Sequence, residues 1–222
     1  YAKFARIPML EPSDSQEAKD FFIEAIKISE DFDTPVILRM TTRVCHSKGL
    51  VQLGERDVVP IKEYKKEINK YVATPANAKV MRVKLEERMK RLAEYSENTP
   101  LNRVEWADKK IGIIASGVSY QYVKEVFGDK ASYFKLGFSY PLPLEKIKAF
   151  ASEVEELYVV EELDPFIEEQ LKAAGIECIG KEKIPLIGEL NPTIIAQSLT
   201  GEVEPLLDCD TDKVVPRPPT MC

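Results

Sequence analysis

Apolar residues recur along this chain in two rhythms, and the change between them divides it. In the second half, short apolar runs alternate with amphipathic stretches of about ten residues. Ile111 to Ala115, Tyr133 to Leu136, Leu157 to Val160 and Ile176 to Ile179 read as buried strands. Between them, Val118 to Phe127 (closed by Gly128), Pro143 to Glu155 and Pro165 to Ala174 (closed by Gly175) carry the helical period. Asp164 occupies the expected N-cap before Pro165, which suits the first helical position, and Glu168 and Glu169 sit early in that helix. Strands alternating with helices predict βαβ crossovers and a three-layer α/β/α domain with an open, mainly parallel sheet over roughly Asp108 to Thr200.

The first half is less regular. Ala5 to Leu10 reads as extended. Ser13 to Gln16 matches a Ser-x-x-Gln capping box, predicting a helix to about Asp31 with Ala18, Phe21, Phe22, Ala25, Ile26 and Ser29 inward. Asp33-Thr34-Pro35 breaks it. Val36 to Thr41 reads as a buried strand, Thr42 to Gly49 as a polar loop, and Leu50 to Val72 as irregular. From Pro75 to Asn98 a helix of about 35 Å is expected. Its stripe of Met81, Leu85, Met89 and Leu92 is narrow and its other faces are charged, which suits a connector across a surface, with a short coiled coil as the alternative. After Gly201 the chain becomes linker-like, with Pro205, Pro216, Pro218 and Pro219.

With 222 residues, 44% hydrophobic and 31% charged, the chain has the composition of one large or two small globular units. A net charge of −6 argues against nonspecific nucleic-acid binding. No apolar run approaches the ~20 residues of a membrane span, and no signal-peptide pattern is present. Cys45, Cys178, Cys209 and Cys222 are far apart without CxxC spacing, which fits reduced thiols in a cytoplasmic protein rather than a metal site. Position 1 is Tyr rather than Met, and the end follows a Pro-rich run, so a piece of a longer polypeptide is expected.

Candidate chemistry is sparse. Ser116 and Gly117 form a strand-to-helix turn where an anion could sit, but only one glycine of a G-x-G-x-x-G fingerprint is present. His46, the only histidine, has no evident catalytic partner. Arg43 is the better ligand candidate, because a guanidinium suits carboxylates and phosphates. Glu161 and Glu162 follow a strand at its C-terminal end and are candidates for contact with a partner subunit or ion. No residue is assigned a catalytic or metal-binding role.

Several runs carry a family resemblance: IPMLEPSDSQEAKDF, TPVILRMTTRV, ATPANAK, ASGVSYQYVKE, LGFSYPLP, LYVVEELDPFIEEQ and the terminal RPPTMC. In this order they resemble the large (alpha) subunit of indolepyruvate ferredoxin oxidoreductase. The resemblance implies an internal stretch of that subunit. Residues 1–47 would be the end of the thiamine pyrimidine-binding α/β domain, and 48–107 a linker with the long helix. Residues 108–200 would be the transketolase C-terminal-like domain, and 201–222 a linker towards a pyrophosphate-binding domain that is not in this sequence. It implies oxidative decarboxylation of an arylpyruvate to an arylacetyl-CoA with reduction of ferredoxin. Thiamine diphosphate, magnesium and [4Fe-4S] clusters would serve the full enzyme, and a small (beta) subunit, ferredoxin and coenzyme A would be its partners. No nucleic acid or membrane partner is expected. None of the family's cofactor-binding or cluster-binding residues matches a position here, so the chain is expected to be inactive alone. The alternatives are the alpha subunit of a pyruvate or 2-oxoglutarate ferredoxin oxidoreductase, or a non-catalytic subunit-interaction module.

Overall fold

A computed structural model describes residues 1–56 and 58–201. The linker expected at 201–222, with Cys209, Cys222 and the Arg-Pro-Pro run, lies outside the described residues except for Gly201. The chain opens with a helical turn, α1 (Ala2–Ala5), and a two-residue strand, β1 (Met9–Leu10). Helix α2 (Ser15–Phe32) leads to β2 (Ile37–Leu38) and α3 (Thr42–His46). An irregular stretch with one turn, α4 (Ile68–Tyr71), precedes α5 (Pro75–Asn98). There follow β3 (Arg103–Glu105), β4 (Ile111–Ser116), α6 (Gly117–Phe127), β5 (Ser132–Leu136) and β6 (Phe138–Tyr140). The series closes with α7 (Leu144–Ala151), β7 (Glu156–Val160), α8 (Phe166–Ala173) and α9 (Pro192–Leu199).

The larger sheet has the order β3-β5-β4-β7, with β5 and β7 parallel to the central β4 and β3 antiparallel at the edge. β4, β5 and β7 are buried on both faces, so their successive side chains enter two different cores. Ile113, Ala115, Tyr133, Tyr158 and Val160 pack with Val123 and Phe127 of α6 and Ile195 of α9. Ile114, Phe134, Leu136, Leu157 and Val159 pack with Ile147 and Phe150 of α7 and Ile167 and Leu171 of α8. This is the three-layer α/β/α unit read from the sequence. Each fully buried side chain of this kind contributes roughly 1.5–3 kcal/mol.

A second sheet, β2-β1-β6, packs under α2 and the C-terminal end of α5. Leu10, Phe21, Ala25, Ile28, Phe32, Leu92 and Phe138 form its core. The two sheets share one stretch of chain. Gly137 lies between β5 and β6, and its backbone N–H donates to Leu101 O (3.1 Å) and to Asn102 Oδ1 (3.1 Å), where Phe138 N–H also donates (2.9 Å).

Several local expectations need correction. The α2 cap is Asp14, whose Oδ1 accepts the Glu17 N–H (2.8 Å), while Glu17 Oε2 accepts from Ser13 N (2.9 Å) and Oγ (2.8 Å). The capping box is therefore Asp14 with Glu17, one residue later than Ser13 with Gln16. The buried face of α2 is Phe21, Ala25, Ile28 and Phe32, and Phe22 and Ile26 are exposed. The strand expected over Val36 to Thr41 shortens to two paired residues, and the polar loop after it begins with α3. Pro143 to Glu155 shortens to α7, which ends at Ala151 with Ser152 as its C-cap. Ile176 to Ile179 joins the sheet only through an isolated bridge between Tyr158 and Ile179.

Helix α8 starts after Pro165, and Asp164 is not its side-chain cap. The carboxylate of Glu161 serves instead, accepting from Ile167 N–H (2.8 and 3.1 Å) and Glu168 N–H (3.0 Å). A carboxylate reaching from the preceding strand end satisfies donors that the first turn of a helix leaves open. The i+3 spacing rule for caps cannot anticipate it.

Candidate functional site

The direction of chain travel reverses at β4. The chain moves from β4 to β5 on one side and later to β7 on the other, with α6 and α8 on opposite faces of the sheet. Such a switch point opens a crevice at the C-terminal strand ends, where α/β sheets hold ligands. Here the crevice is roofed by the corresponding ends of β1 and β2. The result is a cavity of ≈ 470 Å³ lined by Glu11 and Arg39 from the smaller sheet, Ser116 to Ser119 from the β4–α6 turn, and Glu161 to Asp164 after β7. Met9, Ile37, Val118 and Phe166 supply its apolar wall.

Three of the sequence-derived candidates therefore meet with a fourth: Ser116 and Gly117 face Glu161 and Glu162 across one cavity. Gly117 has φ +53°, the left-handed region, and it lies against Pro12 and Glu11. An added Cβ would find ordinary contacts there, 3.7 Å from Pro12 O and 3.9 Å from a Glu11 carboxylate oxygen. The glycine is thus required by its backbone conformation rather than by space.

Arg43 is not part of this group. Its guanidinium pairs with the Glu189 carboxylate at 3.0 and 3.1 Å, with both side chains more than half exposed. A pair so exposed contributes at most about 1 kcal/mol. Arg39 is the cationic residue of the cavity. Its Nη1 lies 3.0 Å from Glu11 Oε1, and the Glu11 side chain is only 5% exposed. Neither residue stood out in the sequence, because Arg39 lies within the apolar run VILRM and Glu11 precedes a proline. The usable signal is position: each directly follows a strand end that faces a crevice. Thr41, two residues on, places a buried hydroxyl without a hydrogen-bond partner at the same cavity. His46 is exposed at the end of α3.

Glu161 and Glu162 are less available to a partner than their sequence position suggests. Glu161 is buried and spent on α8, and Lys181 Nζ donates to its backbone carbonyl. Burial pushes its carboxyl up to about 7, against the opposing pull of the Glu168 and Ile167 N–H groups and the Lys181 charge. Glu162 accepts the Leu190 N–H at 3.1 Å and so ties the β7 end to the start of α9.

Cofactor fit can be tested on the donors present. Among the described residues no group of three or more His, Cys, Asp or Glu side chains is placed to hold a metal ion. Cys45 is exposed on α3. Cys178 is half-buried, its thiol pushed up to about 11 by burial and then by Glu168, so it is not poised as a thiolate ligand. These residues do not fit an iron–sulfur cluster or a magnesium-diphosphate site. Among the described residues no helix is long and apolar enough to cross a membrane.

A scan against protein-family profiles finds no match. Curated proteins do match. The indolepyruvate oxidoreductase subunit IorA of Methanothermobacter thermautotrophicus is 38% identical over 239 aligned residues, covering all of this chain and 39% of that protein. The subunit of the same name from Pyrococcus horikoshii is 37% identical over 250, covering all of this chain and 38% of its own length. Along its entire length the chain is similar to part of the IorA subunit. It spans about 39% of the length of the relatives it matches.

Among solved structures, a 2-oxoglutarate:ferredoxin oxidoreductase from Magnetococcus marinus, with 2-oxoglutarate, coenzyme A and succinyl-CoA bound, superimposes with a TM-score of 0.62. The match covers 89% of this chain and 42% of that one at 16% identity, a likeness of fold. The chain described here therefore shares its architecture with part of a 2-oxoacid:ferredoxin oxidoreductase.

Proposed function

We propose that this chain forms the substrate-side cleft of a thiamine diphosphate-dependent 2-oxoacid:ferredoxin oxidoreductase in the cytoplasm. In this reading the assembled enzyme converts arylpyruvates, indolepyruvate among them, to arylacetyl-CoA, reduces ferredoxin through iron–sulfur clusters and works with a small second subunit. The observation that carries the reading is the identity with IorA subunits along the entire chain. Thiamine diphosphate would supply the electron sink for decarboxylation, held by other parts of the assembly. This chain alone should be inactive, since its donor groups do not fit the cofactors.

The cleft supports an aryl substrate over a second carboxylate. Glu162 and Asp164 line it beside the Glu11–Arg39 pair, so the second carboxylate of a dicarboxylate would meet like charge. An aromatic ring would lie on Met9, Ile37 and Phe166. The guanidinium of Arg39 has N–H groups beyond the one on Glu11 and suits the 2-oxoacid carboxylate.

The test uses the full-length subunit assembled with its partner. Arg39→Lys should raise KM for indolepyruvate by about tenfold or more, about 1.4 kcal/mol, while the assembly sediments unchanged. An unaltered kcat/KM would remove Arg39 from substrate binding. A preference for 2-oxoglutarate over indolepyruvate in the wild-type enzyme would overturn the substrate assignment. Calorimetry of the 222-residue chain with thiamine diphosphate and magnesium should show no binding, and micromolar binding would overturn the placement of the cofactor elsewhere.

A further inference from the structure

Among the described residues, three that are not glycine hold their backbone in the left-handed region: Arg6 (φ 56°), Asp33 (φ 52°) and Leu163 (φ 58°). Arg6 and Asp33 end α1 and α2, the place where a helix commonly turns left-handed. Leu163 ends no helix. It lies in the strap between β7 and α8, on the wall of the cavity. A bulky side chain is costly in this conformation, because its Cβ crowds the following carbonyl oxygen. Glycine would hold the same backbone without that cost. Burial of the side chain does not offset it, since Leu163 is 54% exposed.

The surroundings keep Leu163 in place. Before it, the Glu161 carboxylate is bound to the first turn of α8, and Lys181 Nζ donates to the Glu161 carbonyl. Glu162 accepts the Leu190 N–H at 3.1 Å. After it, Pro165 at φ −75° fixes the entry to α8. Strain held by so determined a strap collects at ligand clamps and active sites. What leucine adds over glycine here is apolar surface on the cavity wall. It is the only apolar residue of the strap Glu161–Asp164, and it extends the apolar lining of Met9, Ile37 and Phe166 into acidic ground. We infer that Leu163 is a specificity-determining residue, whose side chain lies against the aryl group of a bound 2-oxoacid and is presented there by its left-handed backbone. An aryl ring gains more from that surface than a short alkyl chain does. The inference rests on the reading of this cavity as the substrate cleft.

Leu163→Gly and Leu163→Ala, compared in the full-length subunit assembled with its partner, test it. Only glycine relieves the backbone, so Leu163→Gly should have the higher urea midpoint of the two. Both remove the apolar side chain, so both should lower kcat/KM for indolepyruvate by about tenfold or more, with sedimentation of the assembly unchanged. Leu163→Met, close to leucine in volume, should keep most of the activity. The inhibition constant of 2-oxobutyrate, a short alkyl 2-oxoacid used as a competitor, should stay near its wild-type value in every variant. Leu163→Gly with the wild-type kcat/KM would overturn the contact. An equal loss for both acids, or a loss that follows dissociation of the assembly, would do the same. Leu163→Ala as stable as Leu163→Gly would remove the strain and the inference with it. An effect of Arg39→Lys without one of Leu163→Gly would reject Leu163 and leave the cleft standing. Indifference of the enzyme to both would reject the cleft itself.

Discussion

The ammonium of Lys135, in the middle of β5, meets the carboxylate of Glu17, in the first turn of α2. Lys135 is completely buried and Glu17 nearly so, and this pair ties α2, which covers the smaller sheet, to β5 of the larger one. Glu17 also caps α2 through Ser13 and receives Arg103 Nη1 at 3.2 Å. Burial alone would raise the Glu17 carboxyl, but the Lys135 charge and hydrogen bonds from Lys135 and Ser13 outweigh it and hold it below the usual range. Lys135 is itself lowered, chiefly by burial.

Breaking this pair on one side should be far costlier than replacing both sides. Glu17→Gln leaves a buried ammonium without its counter-charge and should cost about 3–5 kcal/mol in urea unfolding. The double replacement Glu17→Gln with Lys135→Met should recover most of that loss. The Glu17 carboxyl is depressed in the folded state, so its contribution is complete above the ordinary glutamate value of 4.5 and fades as pH falls through the folded value. The wild type should therefore lose stability in acid more steeply than the double variant. Equal acid profiles would dissociate the pair from stability.

Two glycines should rank by what surrounds them. A Cβ on Gly137 would lie 2.5 Å from the Leu101 carbonyl oxygen and 2.8 Å from the Phe21 ring. One on Gly112 would lie 2.7 and 2.9 Å from the two γ-carbons of Val154 and 3.1 Å from the Phe150 ring, side chains rather than backbone. Gly112→Ala should cost about 1–3 kcal/mol as Val154 and Phe150 shift, and Gly137→Ala more, since the Leu101 carbonyl is backbone fixed in the crossing between the sheets. Gly54, with nothing within 4 Å, should tolerate Ala within about 0.5 kcal/mol. Thermal melts of the three variants settle the order. A Gly137→Ala protein as stable as Gly54→Ala would mean the crossing between sheets is looser than drawn.

The larger sheet was legible because its information is local. Runs such as IGIIA and LYVV are apolar at every position, as strands covered on both faces must be, and Gly128 and Gly175 follow α6 and α8. The edge strand β3 was not legible: Arg103-Val104-Glu105 has one apolar residue, and it is a strand because it pairs with β5. The smaller sheet failed for the same reason, since β1 and β2 are two residues each and β6 follows β5 after a single glycine. At the cleft, Ser116, Gly117, Glu161 and Glu162 were found from their place after strands. Arg39 and Glu11 required the packing of one sheet against the other. The family resemblance identified the chain's relatives but transferred no residue to this cavity.

The last prediction separates Glu161 from Asp164, which the sequence rule would rank the other way. Asp164 is exposed and makes no side-chain cap, so Asp164→Ala should change stability by no more than about 0.5 kcal/mol. Glu161→Ala removes the acceptor of two buried N–H groups and should cost about 2 kcal/mol or more. The pH dependence carries a further signature. The Glu161 carboxyl is raised to about 7 in the fold from an ordinary 4.5, so the folded state holds its proton more tightly between those values. Its protonation therefore stabilises fully below pH 4.5, and that contribution is lost as pH rises through about 7. Urea midpoints of the wild type should fall across this window, and those of Glu161→Gln, which cannot ionise, should fall less. A cost for Asp164→Ala equal to that for Glu161→Ala would return the cap to Asp164. A Gln variant with the wild-type pH profile would place the titration elsewhere.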